Sequence, residues 1–158
     1  MQKSVEASIN GHRGVFFNVV NKAADKDVVI TGLEAGAYGG TKRATLWVCG
    51  RGACERNEAD EGAWRAVWTG DLMGKKTTQV PLGEGVVVKA GSALGCLLHA
   101  QENCVCYYDS KPGEAAEDSV LKVEPWYATA SELPFGPKQG GSNLYTPAGA
   151  MHYLQLAK

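Results

Sequence analysis

Short runs of β-branched and aromatic residues, each bounded by glycine, proline or asparagine, recur along the whole chain without helical periodicity between them. They include VFFNVV (15–20), DVVITGL (27–33), ATLWVC (44–49), WRAVWTG (64–70), VVVKAG (86–91), LGCLLHA (94–100), CVCYYD (104–109) and MHYLQL (151–156). An apolar pattern near two residues puts successive side chains on opposite faces of a strand. Strands at this spacing, separated by turn residues, predict an all-β fold: an antiparallel, jelly-roll-like β-sandwich. At 158 residues the chain suits one domain spanning 1–158, with 1–13 as a flexible N-terminal lead.

Charge narrows the partners. With 16 basic and 17 acidic side chains the formal charge is −1, which offers no overall field to gather nucleic-acid phosphates, so no nucleic-acid partner is expected. No apolar run approaches the ~20 residues that span a bilayer, and the opening MQKSVEASINGHRG lacks the apolar centre of a signal peptide.

Within the runs, alternation sets faces. Trp64, Ala66 and Trp68 should share one side, with both tryptophans in the core. In LGCLLHA and CVCYYD neither face is cleanly polar, which predicts central strands lying between a core and a covered surface. Gln101-Glu102-Asn103 reads as a hairpin turn and Ala90-Gly91-Ser92 as another, so the strands at 86–89, 94–98 and 104–108 should form a meander.

Polar and glycine-rich breaks are the places to look for function. They are GAYGGTK (36–42), CGRGACERNEADEGA (49–63), DSKPGEAAEDS (109–119) and PFGPKQGGSNLYTPAG (134–149). Trp126 and Tyr127 lie beside Pro125 at a strand end, where flat rings can bind sugar faces or partner side chains with little entropy loss. Together with Tyr38 in the glycine-rich loop and Arg51 in the glycine turn, they are the candidate ligand contacts. Asn57, Glu58, Asp60 and Glu61 make a short oxygen-rich run that could hold calcium, although a solvated acidic loop explains such a run as well.

Five cysteines leave several readings open. Cys49 and Cys54 flank a glycine turn that could bring them within bridging range, and Cys96 could face Cys104 across the expected hairpin. Buried thiols packing as small hydrophobes are the alternative. Cys104 and Cys106 with His99 could supply part of a zinc set, but the usual two-residue gap is missing. The histidines at 12, 99 and 152 are scattered and no G-x-S-x-G occurs, so a catalytic assignment has little to stand on.

The succession GVFFNVVN, VVITGL, ATLWVCGRG, GAWRAVWTG and VPLGEGVVVKAGSALG, from Gly14 to Gly95, resembles β-sandwich domains of secreted or surface proteins of bacteria and algae. A weaker similarity in strand order, with AGAYGG (35–40) approximating their glycine-tyrosine-glycine turn, links it to PHR domains. These resemblances imply a jelly-roll-like sandwich, a noncatalytic role and a secreted or cell-surface setting. They carry over no site residue. The expected function is a binding module that recognises a glycan or protein partner through loops at one end of the sandwich. A self-assembling homo-oligomeric subunit is the runner-up, and an enzyme on the same scaffold ranks third.

Overall fold

The structure, a computed structural model, describes residues 5, 10–102, 105–110, 116–129, 131–135, 144–147 and 149–157. In chain order the strands are β1 (Asn10–His12), β2 (Gly14–Asn21), β3 (Val28–Ala35), β4 (Lys42–Cys49), β5 (Trp64–Leu72), β6 (Thr78–Val88), β7 (Ala93–Ala100), β8 (Val105–Ser110), β9 (Ala116–Glu117), β10 (Leu121–Thr129), β11 (Leu144–Pro147) and β12 (Ala150–Gln155). One 3-10 turn, Glu61–Ala63, precedes β5. The large sheet runs β1-β8-β11-β10-β2-β7-β4-β5 with β9 added beside β10, and the small sheet runs β12-β3-β6. Every pairing between strands is antiparallel. The expected antiparallel β-sandwich is therefore what the chain forms.

The core lies between the sheets because the inward residues of the facing strands are branched and apolar. Val15, Phe17 and Val19 of β2, Leu46 and Val48 of β4, and Leu98 of β7 meet Val28, Ile30 and Leu33 of β3 and Val80, Val86 and Val88 of β6. Five connections cross between the sheets, β2–β3, β3–β4, β5–β6, β6–β7 and β11–β12, and buried or paired polar side chains fasten two of them. Asn21, fully buried, donates to the carbonyls of Lys26 (2.8 Å) and Val88 (3.0 Å) as the chain leaves β2 for β3. Asp27 accepts from the Ala90 amide at 2.9 Å and pairs with Lys89 where β6 gives way to β7.

The β6–β7 crossing corrects the expected meander. The turn at Ala90-Gly91-Ser92 carries the chain to the other sheet, so β6 pairs with β3, β7 lies between β2 and β4, and β8 lies between β1 and β11. Turn residues mark where a chain reverses, not whether it stays in the same sheet. β7, apolar on both faces, needs long neighbours on each side and finds them in β2 and β4.

A register shift in the β4–β5 ladder corrects the second expectation. Leu46 faces Trp68 and Trp47 faces Ala66, so Val67 is an extra residue on β5. Such a bulge inverts the alternation beyond it. Trp68 therefore packs, half-buried, on the inner core, and Trp64 points to the opposite face. The N-terminal lead is also partly built into the fold: Asn10–His12 pair with β8, and Val5 is buried against Gly36.

Candidate functional site

The large sheet has a second apolar face, turned away from the small sheet. Phe16 of β2, Cys49 of β4, Trp64 of β5 and Leu97 of β7 are buried there, with Trp47, Trp126 and Phe135 packed around them. Exposed, such a face would cost on the order of 25 cal/mol for each Å² of apolar area left in water. The segment from Gly50 to Ala63 lies over it and contributes Cys54 and Ala63 to this outer layer.

The cover is attached at named points. The Gly95 amide donates to the Gly52 carbonyl at 2.6 Å, and the Cys54 amide donates to Oδ1 of buried Asn18 at 2.8 Å. Trp64 Nε1 donates to the Asn57 carbonyl at 2.8 Å. Gly95 is glycine for a steric reason: a Cβ there would lie 2.8 Å from the Cys54 nitrogen and 3.0 Å from the Ala53 carbonyl carbon. The outer rings meet edge to face, Phe16 against Trp64 at 5.6 Å and Trp47 against Phe135 at 5.2 Å, a favoured aromatic geometry.

This cover brings some of the candidate ligand contacts together. Trp126, half-buried on β10, donates from Nε1 to Glu58 Oε1 at 3.0 Å, joining the loop to a strand 68 residues away in sequence. Tyr127 stacks edge-on against Trp126 at 5.4 Å. Arg51, mostly exposed, pairs with Asp60 on the same loop. Tyr38 is not part of this cluster. It follows Ala37, which bridges Gly74 just beyond β5, whereas Arg51 follows the other end of β4. About 26 Å of strand separates these two ends.

The four candidate calcium ligands do not converge. Asn57 donates to the Ala53 carbonyl at 3.0 Å, Glu58 is buried at 7% exposure against Trp126, and Asp60 accepts from the Gly62 amide while pairing with Arg51. Glu61 alone of the four points to solvent from the 3-10 turn without one of these partners. Among the described residues, no group of three or more His, Cys, Asp or Glu is placed to hold a metal ion. The oxygen-rich run serves to dock the loop: one carboxylate faces inward to an indole and another caps a turn, a division of labour that composition alone does not display.

The thiols of Cys49, Cys54 and Cys96 are free and buried. Burial pushes the Cys54 and Cys96 thiols far above their ordinary value, so neither is poised as a thiolate. The Cys49–Cys54 bridge is absent. Cys96 lies opposite Phe17 and Val48 and has no ladder to β8; its expected partner, Cys104, lies outside the described residues, as does the side chain of Cys106.

His99, also on the outer face, is 4% exposed and hydrogen-bonds the Ser131 carbonyl through Nε2 at 3.0 Å. A carbonyl can only accept, so Nε2 carries the proton. Burial and the nearby Arg13 charge lower the His99 pKa below the usual imidazole value, and the bond to Ser131 only partly offsets them. The unfolded chain then takes up this proton before the native state does. The stability held by neutral His99 should be fully present above about pH 6.5 and fall away as the pH drops through the native pKa. Urea midpoints from about pH 8 to about pH 5 should show this decline, and His99→Gln should flatten it. An unchanged slope in that variant would place the titrating group elsewhere.

Compared with known proteins, the chain matches no protein-family model and no curated protein.

Proposed function

We propose that the chain is a noncatalytic binding module that recognises a glycan or protein partner through the loop-covered outer face around Arg51, Trp126 and Tyr127. The observation that carries this reading is the Trp126–Glu58 hydrogen bond, which fixes the 50–63 loop beside a half-exposed aromatic pair. A surface assembled from two distant segments and held rigid before contact loses little entropy on binding. Two flat rings, tied to a loop that also carries the Arg51–Asp60 pair, offer stacking area and directional polar contacts, the combination that glycans and protein hot spots use. The resemblance to sandwich domains of surface proteins agrees with this role.

The test is a glycan and protein array, followed by titration of the best hit with variants. Tyr127→Ala should lower affinity about thirtyfold, a loss near 2 kcal/mol, with no more than a small change in melting temperature. Trp126→Phe keeps a ring but removes the indole N–H that donates to the buried Glu58 carboxylate. It should loosen the loop and cost about 1–3 kcal/mol of stability. If both variants stay folded and bind as the wild type does, recognition lies elsewhere. If the wild type instead shows a concentration-dependent mass in light scattering, the self-assembly reading takes over, with exposed Leu154 and Val87, flanking half-buried Val29 on the small sheet, as its contact.

A further inference from the structure

The far end of the sandwich, where Tyr38 lies, has its own chemistry. Two loops, 36–41 and 73–77, are joined there into one tip. The Ala37 amide donates to the Met73 carbonyl at 3.1 Å, and the Lys75 amide donates back to the Ala37 carbonyl at 2.8 Å. The Gly74 amide reaches Thr41 Oγ1 at 3.4 Å, and the Met73 amide reaches Thr78 Oγ1 at 2.8 Å. The two backbones touch so closely that a Cβ at Gly74 would fall 2.1 Å from the Gly39 carbonyl oxygen. Beneath them Ala37 is fully buried and bridges Val105. The tip is thus a rigid projection.

Two large apolar side chains stand out from it: Tyr38 is 41% exposed and Met73 45%. Lys75 and Lys76 follow Met73 in the second loop, with the Lys75 ammonium 5.3 Å from the centre of the Tyr38 ring, and Lys42 and Arg43 open β4 just after the first loop. Lys42 is paired with Glu102 and Arg43 with Asp71, and Glu34, at the root of the first loop, lies beside Gln79 and His152. The tip keeps a positive excess although the chain as a whole carries −1.

We propose that this tip docks on an anionic lipid bilayer, with Tyr38 and Met73 entering the headgroup boundary and Lys75 and Lys76 lying at the lipid phosphates. Three observations favour a bilayer over a soluble polyanion. The apolar pair sits among the cations, where a polyanion has no use for it and an interface does. A tyrosine, apolar in body and polar at its tip, suits the boundary between headgroup and acyl chain. The amides of Ala37, Met73, Gly74 and Lys75 are bonded within the tip, so partial desolvation leaves them satisfied. The inference stands apart from the proposed recognition face, whose aromatic pair is on β10 and whose loop, 50–63, joins the opposite ends of β4 and β5.

The experiment is co-sedimentation of the whole chain with vesicles of phosphatidylcholine, alone or with about 30% phosphatidylserine. Binding is expected only to the anionic vesicles and should weaken as salt rises. Lys75→Ala combined with Lys76→Ala should reduce partitioning about thirtyfold, the effect of two cations each contributing ~1 kcal/mol near an anionic surface. Tyr38→Ala combined with Met73→Ala should reduce it by about tenfold with the melting temperature unchanged, because both side chains are exposed. Trp126→Phe should leave it unaltered. No binding to anionic vesicles would overturn the proposal. So would full binding by the Tyr38 and Met73 double variant, particularly with equal affinity for a soluble polysulfated glycan, since that result describes a polyanion site.

Discussion

Trp64→Ala should be the most damaging tryptophan substitution in the chain, costing about 3–5 kcal/mol, whereas Trp68→Ala should cost about half as much. Trp64 is 7% exposed, stacks on Phe16 and Phe135, and donates its indole proton to the Asn57 carbonyl. Truncation would open a large void in the outer layer and remove the indole's tie to the covering loop, leaving the Asn57 carbonyl only its bond from the Asp60 amide. Trp68 makes no such link to the loop and is only half-buried on the inner core. Urea denaturation of the two variants gives the comparison directly. Equal losses would mean that the bulge at Val67 does not separate the rings as described.

Gly95→Val should rival that loss through the opposite defect, too much volume in place of too little. The new branched side chain would grow into the backbone at Ala53 and Cys54 and against the Cys49 Cβ at 3.2 Å, none of which is the flexible end of a side chain. Overfilling of this kind costs roughly 1–3 kcal/mol where neighbours can adjust, and here the adjustment is displacement of the loop and loss of the Gly95–Gly52 bond. The sandwich core lies on the far side of β7, so the fold should persist while the loop lifts. Faster proteolysis in 50–63 and weaker binding at the recognition face are expected, with far-ultraviolet circular dichroism preserved. Gly91→Val, at a turn where a Cβ meets open space but φ is +65°, serves as a control that strains the backbone without touching the loop. A Gly95→Val protein with native stability and an undisturbed loop would contradict the close approach.

Much of the sandwich was legible because the longer strands are short runs rich in apolar, β-branched and aromatic residues, as in VFFNVV and ATLWVC. β10 was harder to see. Its sequence LKVEPWYAT mixes charges with a proline that has no amide proton to donate, and it fits because the ladder to β2 shifts between Pro125 and Ala128. β6 extends back through Pro81, Gly83 and Gly85, residues that usually end a strand, on the small sheet's edge. Partner choice was not legible, since turns such as Ala90-Gly91-Ser92 look alike whether a chain folds back or crosses over. At the candidate site the residue types were visible but not their engagements: Glu58 reads as solvated until its distant indole partner is known.

β7 has no solvent side. Its residues from Gly95 to Ala100 are all buried, those on one face by the sandwich core and those on the other by the outer layer. Neutral drift needs positions where a changed side chain can turn toward water, and this strand offers almost none. Sequence variation in descendants of this chain would have to collect at the two ends instead, in the 50–63 cover and the Tyr38–Met73 tip. Those are the surfaces proposed above for recognition and docking, so on that proposal the layering that freezes the middle of the molecule leaves its contacts free to diversify.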